Sequence, residues 1–147
     1  MPSKPQRFEV DLETVIESIA LAEELGVRVA AAVGFDEDDQ FKIGLAVHEC
    51  VMNAFKYGNE QQRGKKIHLV FELDHEKLVI HVTDQGTGFC LADVPDPRED
   101  ENMFADSGRG LLLMKAFMDE FDVTVSPMGG AKVVMAKRHK KPTSRAV

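Results

Sequence analysis

The sequence contains no tryptophan, one tyrosine and two cysteines among 147 residues. Cys50 and Cys90 do not form a CxxC pair, so neither a disulfide framework nor a zinc site is predicted, and a reducing compartment is favoured. No apolar run approaches the roughly 20 residues that a membrane-spanning helix requires, and residues 1–5 lack the apolar stretch of a signal peptide. We therefore expect a cytoplasmic protein with no membrane partner.

Positive charge is also scarce, because 18 Lys and Arg stand against 25 Asp and Glu, which gives a net charge of -7. Nucleic acids and anionic membranes repel an acidic surface, so direct binding to either is not expected. The length suits one hydrophobic core, and we expect a single domain over residues 1–147 with its core at about 8–138. The basic run 137–141 follows the last apolar segment, which predicts a solvated, frayed tail over 139–147.

Apolar periodicity divides the chain into strands, helices and one long polar loop. In chain order the predicted segments are a strand at 8–10, helices at 12–32 and 36–58, strands at 67–73 and 78–82, the loop at 89–107, a helix at 110–118, and strands at 121–126 and 131–136. This order predicts an α+β fold, a two-layer α/β sandwich whose mixed, mostly antiparallel sheet carries helices on one face.

The second predicted helix is apolar on nearly every side, which is typical of a helix with little exposure. One apolar stripe is formed by Phe41, Leu45, Met52 and Phe55. The side away from that stripe is formed by Val47, Cys50, Val51 and Ala54. At about 100° per residue, Glu49, Asn53 and Lys56 cluster on one edge. A solvated edge stripe explains one Glu and one Asn equally well, so this feature alone indicates no site.

Asp84 follows a predicted strand, and its parity matches Leu78, Ile80 and Val82, so its carboxylate should point to the apolar side of the sheet. A buried carboxylate is costly unless it is hydrogen-bonded. The glycines that follow, Gly86 and Gly88, permit a close approach of backbone. An Asp-initiated turn is the alternative explanation. The acidic loop directly after this segment favours a ligand site.

Ser107-Gly108-Arg109-Gly110-Leu111 opens the third predicted helix. Free backbone amides and the positive end of a helix dipole would face outward there, and phosphate is the natural anion for such a position. Glycine before a helix is also ordinary capping, and the segment alone does not decide between the two.

Three segments together resemble the N, G1 and G2 boxes of the GHKL ATPase superfamily, which has a Bergerat-type ATP-binding fold. They are Glu49–Lys56, Asp84–Phe89 and Gly108–Leu111. Within that superfamily, the phrases Asn53–Asn59 and Gly108–Met114 are similar to bacterial anti-sigma regulatory factors of the serine-protein-kinase type. The resemblance covers about Phe8 to Arg138, and three boxes in order are far more specific than one.

The resemblance implies that the chain binds Mg-ATP. Asp84 would accept a hydrogen bond from the adenine amino group, with Gly86 and Gly88 making room for the base. Asn53 would coordinate Mg²⁺, and Glu49 would orient and deprotonate the attacking hydroxyl. The cradle for the phosphates would be Gly108, Arg109 and Gly110; Lys56 and Leu111 complete the cofactor-binding set, and residues 89–107 would act as a lid.

The resemblance also implies a function: a protein-serine kinase that phosphorylates an anti-anti-sigma (STAS-type) partner, sequesters a sigma factor, forms a homodimer and regulates transcription by partner switching. Two positions depart from the family pattern, since Ala131 stands where Thr is frequent and Tyr57 where many relatives carry His. These departures favour an alternative, an ATP-binding module that sequesters a partner without kinase activity. The catalytic piece of a histidine kinase is disfavoured, because the 52 residues before Asn53 already form the domain's own strand and helices.

Overall fold

The computed structural model describes residues 6–86, 114–125 and 129–140. Its elements are β1 (Gln6–Glu13), α1 (Glu17–Ala32), α2 (Glu37–Asn53), a π-helical turn (Ala54–Gly58), β2 (Lys66–Leu73), β3 (Lys77–Thr83), β4 (Glu120–Val125) and β5 (Ala131–Arg138). Residues 114–117 are helical and belong to the third predicted helix. The predicted loop at 89–107 and the start of that helix lie outside the described residues.

The five strands form one sheet in the order β1-β2-β3-β5-β4. All four described strand pairs are antiparallel. The predicted α+β fold is confirmed, and the sheet, expected to be mixed and mostly antiparallel, is antiparallel at every described pair. Because β5 lies between β3 and β4, the second hairpin joins the sheet through its later strand.

The first strand is longer than predicted, and the first helix starts later. The helix was predicted from residue 12, but Leu12 pairs with Ile67 in the sheet, and Asp11 before it pairs with His68. Val10 and Leu12 fit the two-residue period of a strand as well as the helical period, so the apolar pattern alone could not place the boundary. Pairing with β2 decides it in favour of the strand.

One face of the sheet packs against α1 and α2 and forms the core. The buried residues of this cluster include Leu69, Ile80 and Met135 from three neighbouring strands. The helices approach each other closely, since a Cβ built on Gly44 would meet the side chain of Val27. The opposite face carries charged pairs such as Glu72 with His81, whose Oε1 and Nε2 are 2.8 Å apart. The arrangement is the predicted two-layer sandwich.

The second helix begins as its sequence predicts, because Oδ1 of Asp36 accepts a hydrogen bond from the backbone N–H of Asp39 at 2.8 Å. The expectation of little exposure is wrong on one side. Phe41 is 63% exposed, whereas Val47 and Val51 are fully buried. The helix has two apolar sides, and only one can face the sheet.

No described helix is long and apolar enough to cross a membrane.

The prediction of a solvated, frayed tail over 139–147 is wrong for His139. The His139 ring stacks on Phe35 with centroids 4.5 Å apart, and its backbone N–H donates to the carbonyl of Glu76 at 3.0 Å. Lys137 donates from Nζ to the carbonyl of Phe117 at 2.7 Å. Residues 139 and 140 therefore continue from β5 to the start of α2, where Nζ of Lys140 donates to Oδ2 of Asp36 at 3.3 Å. Residues 141–147 lie outside the described part of the chain.

We expect His139→Ala to lower the free energy of unfolding by about 1 kcal/mol, because it removes the ring that covers Phe35. Urea denaturation measures the change. His75→Ala, at an exposed position in the turn between β2 and β3, is the matched control and should unfold like the wild type. Equal midpoints for all three proteins would contradict a docked His139.

Candidate functional site

The C-terminal end of α2 widens into a π-helical turn. Asn53 is the last α-helical residue, and the backbone N–H of Asn59 donates to the carbonyl of Ala54 at 2.7 Å. The chain leaves this turn through Glu60 and Gln61, whose φ angles are 53° and 59°. Such left-handed residues are uncommon outside glycine, and single π turns occur frequently at functional sites.

Asn59 holds this turn against the sheet, and it is fully buried. Its Nδ2 donates to Oγ1 of Thr14 at 2.8 Å and to the carbonyl of Lys66 at 3.0 Å. Its Oδ1 accepts from the backbone N–H of Gln85 at 2.7 Å. One side chain therefore joins the end of α2 to β2, to the residue after β1 and to the segment after β3. Asn59 directly follows the predicted helix at 36–58, and nothing in the sequence pattern around it signals this burial.

Asp84 lies directly after β3 and is 4% exposed. Its Oδ1 accepts two backbone hydrogen bonds, from Gly86 at 2.9 Å and from Ala131 at 3.0 Å. None of the described residues donates a hydrogen bond to its Oδ2. The carboxylate thus has the inward direction that the strand parity predicts, and one of its oxygens is fixed by the backbone.

Three glycines surround this carboxylate. A Cβ on Gly58 would overlap Oδ2 of Asp84, and one on Gly130 would overlap the Asp84 backbone carbonyl. A Cβ on Gly86 would overlap the carbonyl oxygen of Gly58. The close backbone approach at Gly86 is therefore made by the π turn. As a result, the ends of α2 and β3 and the start of β5 meet at backbone distance around one acid.

Burial raises the pKa of Asp84 above the ordinary Asp value. The hydrogen bonds from Gly86 and Ala131, and the charge of Lys65, act in the opposite direction but do not cancel the cost of desolvation. A carboxylate in this position gains from a further hydrogen-bond donor at its second oxygen.

Glu49 and Asn53 lie one turn apart on α2. Asn53 is 4% exposed, and its Oδ1 has no hydrogen-bond donor among the described residues. The Glu49 side chain is 13% exposed, and the Nε2 of His48 lies 4.0 Å from its Oε2. Lys56 follows in the π turn, with Nζ 5.5 Å from the ring centroid of Tyr57. The edge predicted from helical spacing is thus largely buried.

A buried amide oxygen without a donor fits a hard cation such as Mg²⁺, which prefers oxygen ligands. The described residues contain no group of three or more His, Cys, Asp or Glu side chains that could hold a metal. Phosphate oxygens of a bound molecule are a usual source of ligands for Mg²⁺.

Five predicted site residues lie in the described part of the structure, on α2, in the π turn or directly after β3. They are Glu49, Asn53, Lys56, Asp84 and Gly86. The other five lie outside the described residues: Gly88, Gly108, Arg109, Gly110 and Leu111.

A family model described as a histidine kinase-like ATPase domain matches residues 10–137. The chain belongs to the histidine kinase-like ATPase family. This match confirms the predicted superfamily, and it spans every described strand and helix at least in part.

Relatives and a solved structure agree with this family. Serine-protein kinases RsbW from two strains of Staphylococcus aureus are 28% and 29% identical over 152 aligned residues, which cover 99% of this chain and 94% of theirs. The crystal structure of the RsbU and RsbW domains of a Mycobacterium tuberculosis protein matches with a TM-score of 0.66 and 19% identity. The match covers 97% of this chain and 35% of that longer chain, and it supports the fold.

We expect Gly58→Ala to destabilise the protein by about 1 to 3 kcal/mol, because the new methyl group would overlap the Asp84 carboxylate and force the π turn outward. Chemical denaturation measures the change. Gly64→Ala is the matched control, since a Cβ there would meet nothing within 4 Å. If both variants unfold at the same midpoint, the close packing around Asp84 is wrong.

We expect Asp84→Asn to be at least as stable as the wild type at neutral pH. The amide oxygen can still accept from Gly86 and Ala131, while the cost of burying a charge disappears. Because folding raises the pKa of Asp84, its contribution to stability is complete below the ordinary Asp value and is lost as the pH rises through the raised value. The stability of the variant relative to the wild type should therefore increase with pH over this range.

Urea denaturation from about pH 4 to pH 8 tests this dependence. Asp122→Asn, at an exposed position in β4, is the control for general charge effects. A relative stability of Asp84→Asn that stays level or falls with rising pH would contradict a desolvated carboxylate.

Proposed function

We propose that this chain is an anti-sigma-type serine protein kinase that binds Mg-ATP and phosphorylates a serine of an anti-anti-sigma (STAS-type) partner. The observation that carries the proposal is the pair on α2: a buried amide oxygen without a described donor at Asn53, one turn from the largely buried carboxylate of Glu49. Membership of the histidine kinase-like ATPase family and similarity to serine-protein kinases support it.

In this proposal the adenine base binds at Asp84. The two backbone hydrogen bonds to Oδ1 fix the carboxylate and leave Oδ2 for the exocyclic amino group. Such a donor at a desolvated acid is worth more than one in water, because the surrounding dielectric is low. Gly88 would adjoin the base.

The phosphates would lie between α2 and the Gly108-Arg109-Gly110-Leu111 segment, with Lys56 as a further cation. Asn53 would hold Mg²⁺ together with phosphate oxygens. When bound, the ion neutralises charge on the transferring group. The largely buried position of Glu49 would limit competing water near the reacting hydroxyl.

Glu49 would accept the proton of the serine hydroxyl as the serine oxygen forms its bond to the γ-phosphorus and the bond from that phosphorus to the leaving ADP breaks. General-base assistance of this kind contributes about 10² to 10⁴ in rate. The remaining acceleration comes from positioning and charge, which dominate phosphoryl transfer.

The wider proposal is that the chain acts in the cytoplasm as a homodimer, sequesters a sigma factor and releases it by partner switching. We place the whole sequence in one domain. The similarity of the chain to named serine-protein kinases over nearly their full length supports the assignment to one domain.

One observation favours a second function, an ATP-dependent binding module without phosphoryl transfer. Ala131 is 1% exposed and donates its backbone N–H to Asp84. Because it is an alanine, it offers no side-chain hydroxyl to the base site. Weaker nucleotide binding would suit a regulator that responds to ATP concentration.

One variant tests the base site that both functions require, and the other separates the two functions. With Mg-ATP in calorimetry, Asp84→Asn should lose measurable binding because its amide turns a donor toward the adenine donor, whereas Glu49→Gln should bind like the wild type. With labelled ATP and the cognate partner, wild type should produce acid-stable phosphoserine and Glu49→Gln should be slower by about 100-fold or more.

Unchanged nucleotide binding in Asp84→Asn would refute the base site. Nucleotide binding without phosphoserine in the wild type would favour the binding module. Acid-labile phosphohistidine on the partner would instead indicate a histidine kinase.

A further inference from the structure

His48 lies on α2 directly before Glu49, and its two ring nitrogens face carboxylates from different helices. Nδ1 is 2.8 Å from Oε1 of Glu23 on α1. Nε2 is 4.0 Å from Oε2 of Glu49. The three side chains form a carboxylate–imidazole–carboxylate row, and no local sequence pattern predicts it because Glu23 and His48 are 25 residues apart.

The Glu23 contact determines how the ring is protonated. An ionised carboxylate can only accept hydrogen bonds, so Nδ1 must carry the proton in this pair. In the neutral ring, Nε2 then presents its lone pair on the side of Glu49. A distance of 4.0 Å is too long for a direct hydrogen bond, but one bridging water or a small side-chain rotation would connect the two groups.

Exposure increases along the row. The side chains of Glu49, His48 and Glu23 are 13%, 32% and 42% exposed. A proton that leaves Glu49 in this direction therefore moves from a largely buried group to one in contact with solvent, and the cost of carrying charge falls along the way.

We propose that His48, oriented by Glu23, is a positioning residue that receives from Glu49 the proton abstracted from the substrate serine. The inference rests on the proposed kinase function. The serine O–H bond breaks and the proton binds Oε2 of Glu49, while the serine oxygen gains the phosphoryl group and ADP leaves.

The proton then passes to Nε2 of His48, and the imidazolium lies between two carboxylates until it releases the proton to water. Glu49 returns to its ionised form, ready for the next serine. The pattern is an orienting acid behind a base, which is a common arrangement in nucleophilic catalysis. Here the oriented imidazole serves a second carboxylate.

The competing explanation is that Glu23 and His48 simply tie α1 to α2. His48→Asn separates the two, because the shorter amide can still donate to Glu23 but cannot accept a proton. We expect it to lower kcat for partner phosphorylation by about tenfold to a hundredfold, with the KM for ATP within about twofold of the wild type. His81→Asn is the matched control, since His81 forms a similar pair with Glu72 on the open face of the sheet.

Chemical rescue provides a readout that a structural tie would not affect. His48→Ala opens a partly exposed space, and added imidazole should restore its rate in proportion to the free base, whereas Glu49→Gln should not respond. A wild-type kcat in His48→Asn, or no rescue of a slowed His48→Ala, would overturn the proposal.

Nitrogen NMR of the His48 ring tests the row without phosphoryl transfer and separates its failure from failure of the proposed function. We expect protonation at Nδ1 and a shifted Nε2 resonance in Glu49→Gln. If no partner is phosphorylated by the wild type, the kinase proposal fails and the spectrum decides: a shifted Nε2 supports the coupling of His48 to Glu49, and an unchanged one overturns it.

Discussion

The structure depends on how one buried acid is accommodated. Asp84 can be buried because two backbone amides fix one of its oxygens and because Gly58, Gly86 and Gly130 let three chain segments approach it without side chains between them. Each of these features would be costly alone, since a desolvated carboxylate and three flexible glycines all oppose folding. Together they bring the ends of α2 and β3 and the start of β5 to one point, which is where we propose that the nucleotide base binds.

Asn59 and the π turn make this meeting point rigid. The fully buried Asn59 amide makes three hydrogen bonds, to β2, to the residue after β1 and to the segment after β3. Since an unsatisfied buried amide is expensive, the turn has few alternative positions. These hydrogen bonds tie the end of α2 to the segment after β3, and Asn53 lies directly before the turn that they hold. The proposed nucleotide and serine sites share this support.

Much of the fold follows from local pattern. The hairpin of β2 and β3 alternates apolar and polar residues, and Asp84 continues that alternation into the core, so its burial could be predicted. The family boxes predicted Glu49, Asn53, Asp84 and Gly86 as one site, and the structure connects them along one path. That they bind ATP remains a proposal.

The rest depends on contacts between distant residues. Val10 and Leu12 fit both the strand period and the helical period, and only pairing with β2 shows that they belong to a strand. The second helix has two apolar sides, and only one of them packs on the sheet. Phe41 lies on the other side and is exposed. Glu23 approaches His48 through packing of α1 on α2, and His139 finds Phe35 across the fold. No local pattern encodes such pairings.

The strand order has a consequence for biosynthesis. During translation β3 emerges well before β5, yet β5 is its permanent neighbour, and Ala131 supplies one of the two amides that hold Asp84. While the nascent chain still ends short of this strand, β3 has an unpaired edge and the acid lacks a partner. Non-local pairing of this kind slows folding. The surroundings of Asp84 can therefore form completely only after Ala131 has left the ribosome, 47 residues later than the acid itself.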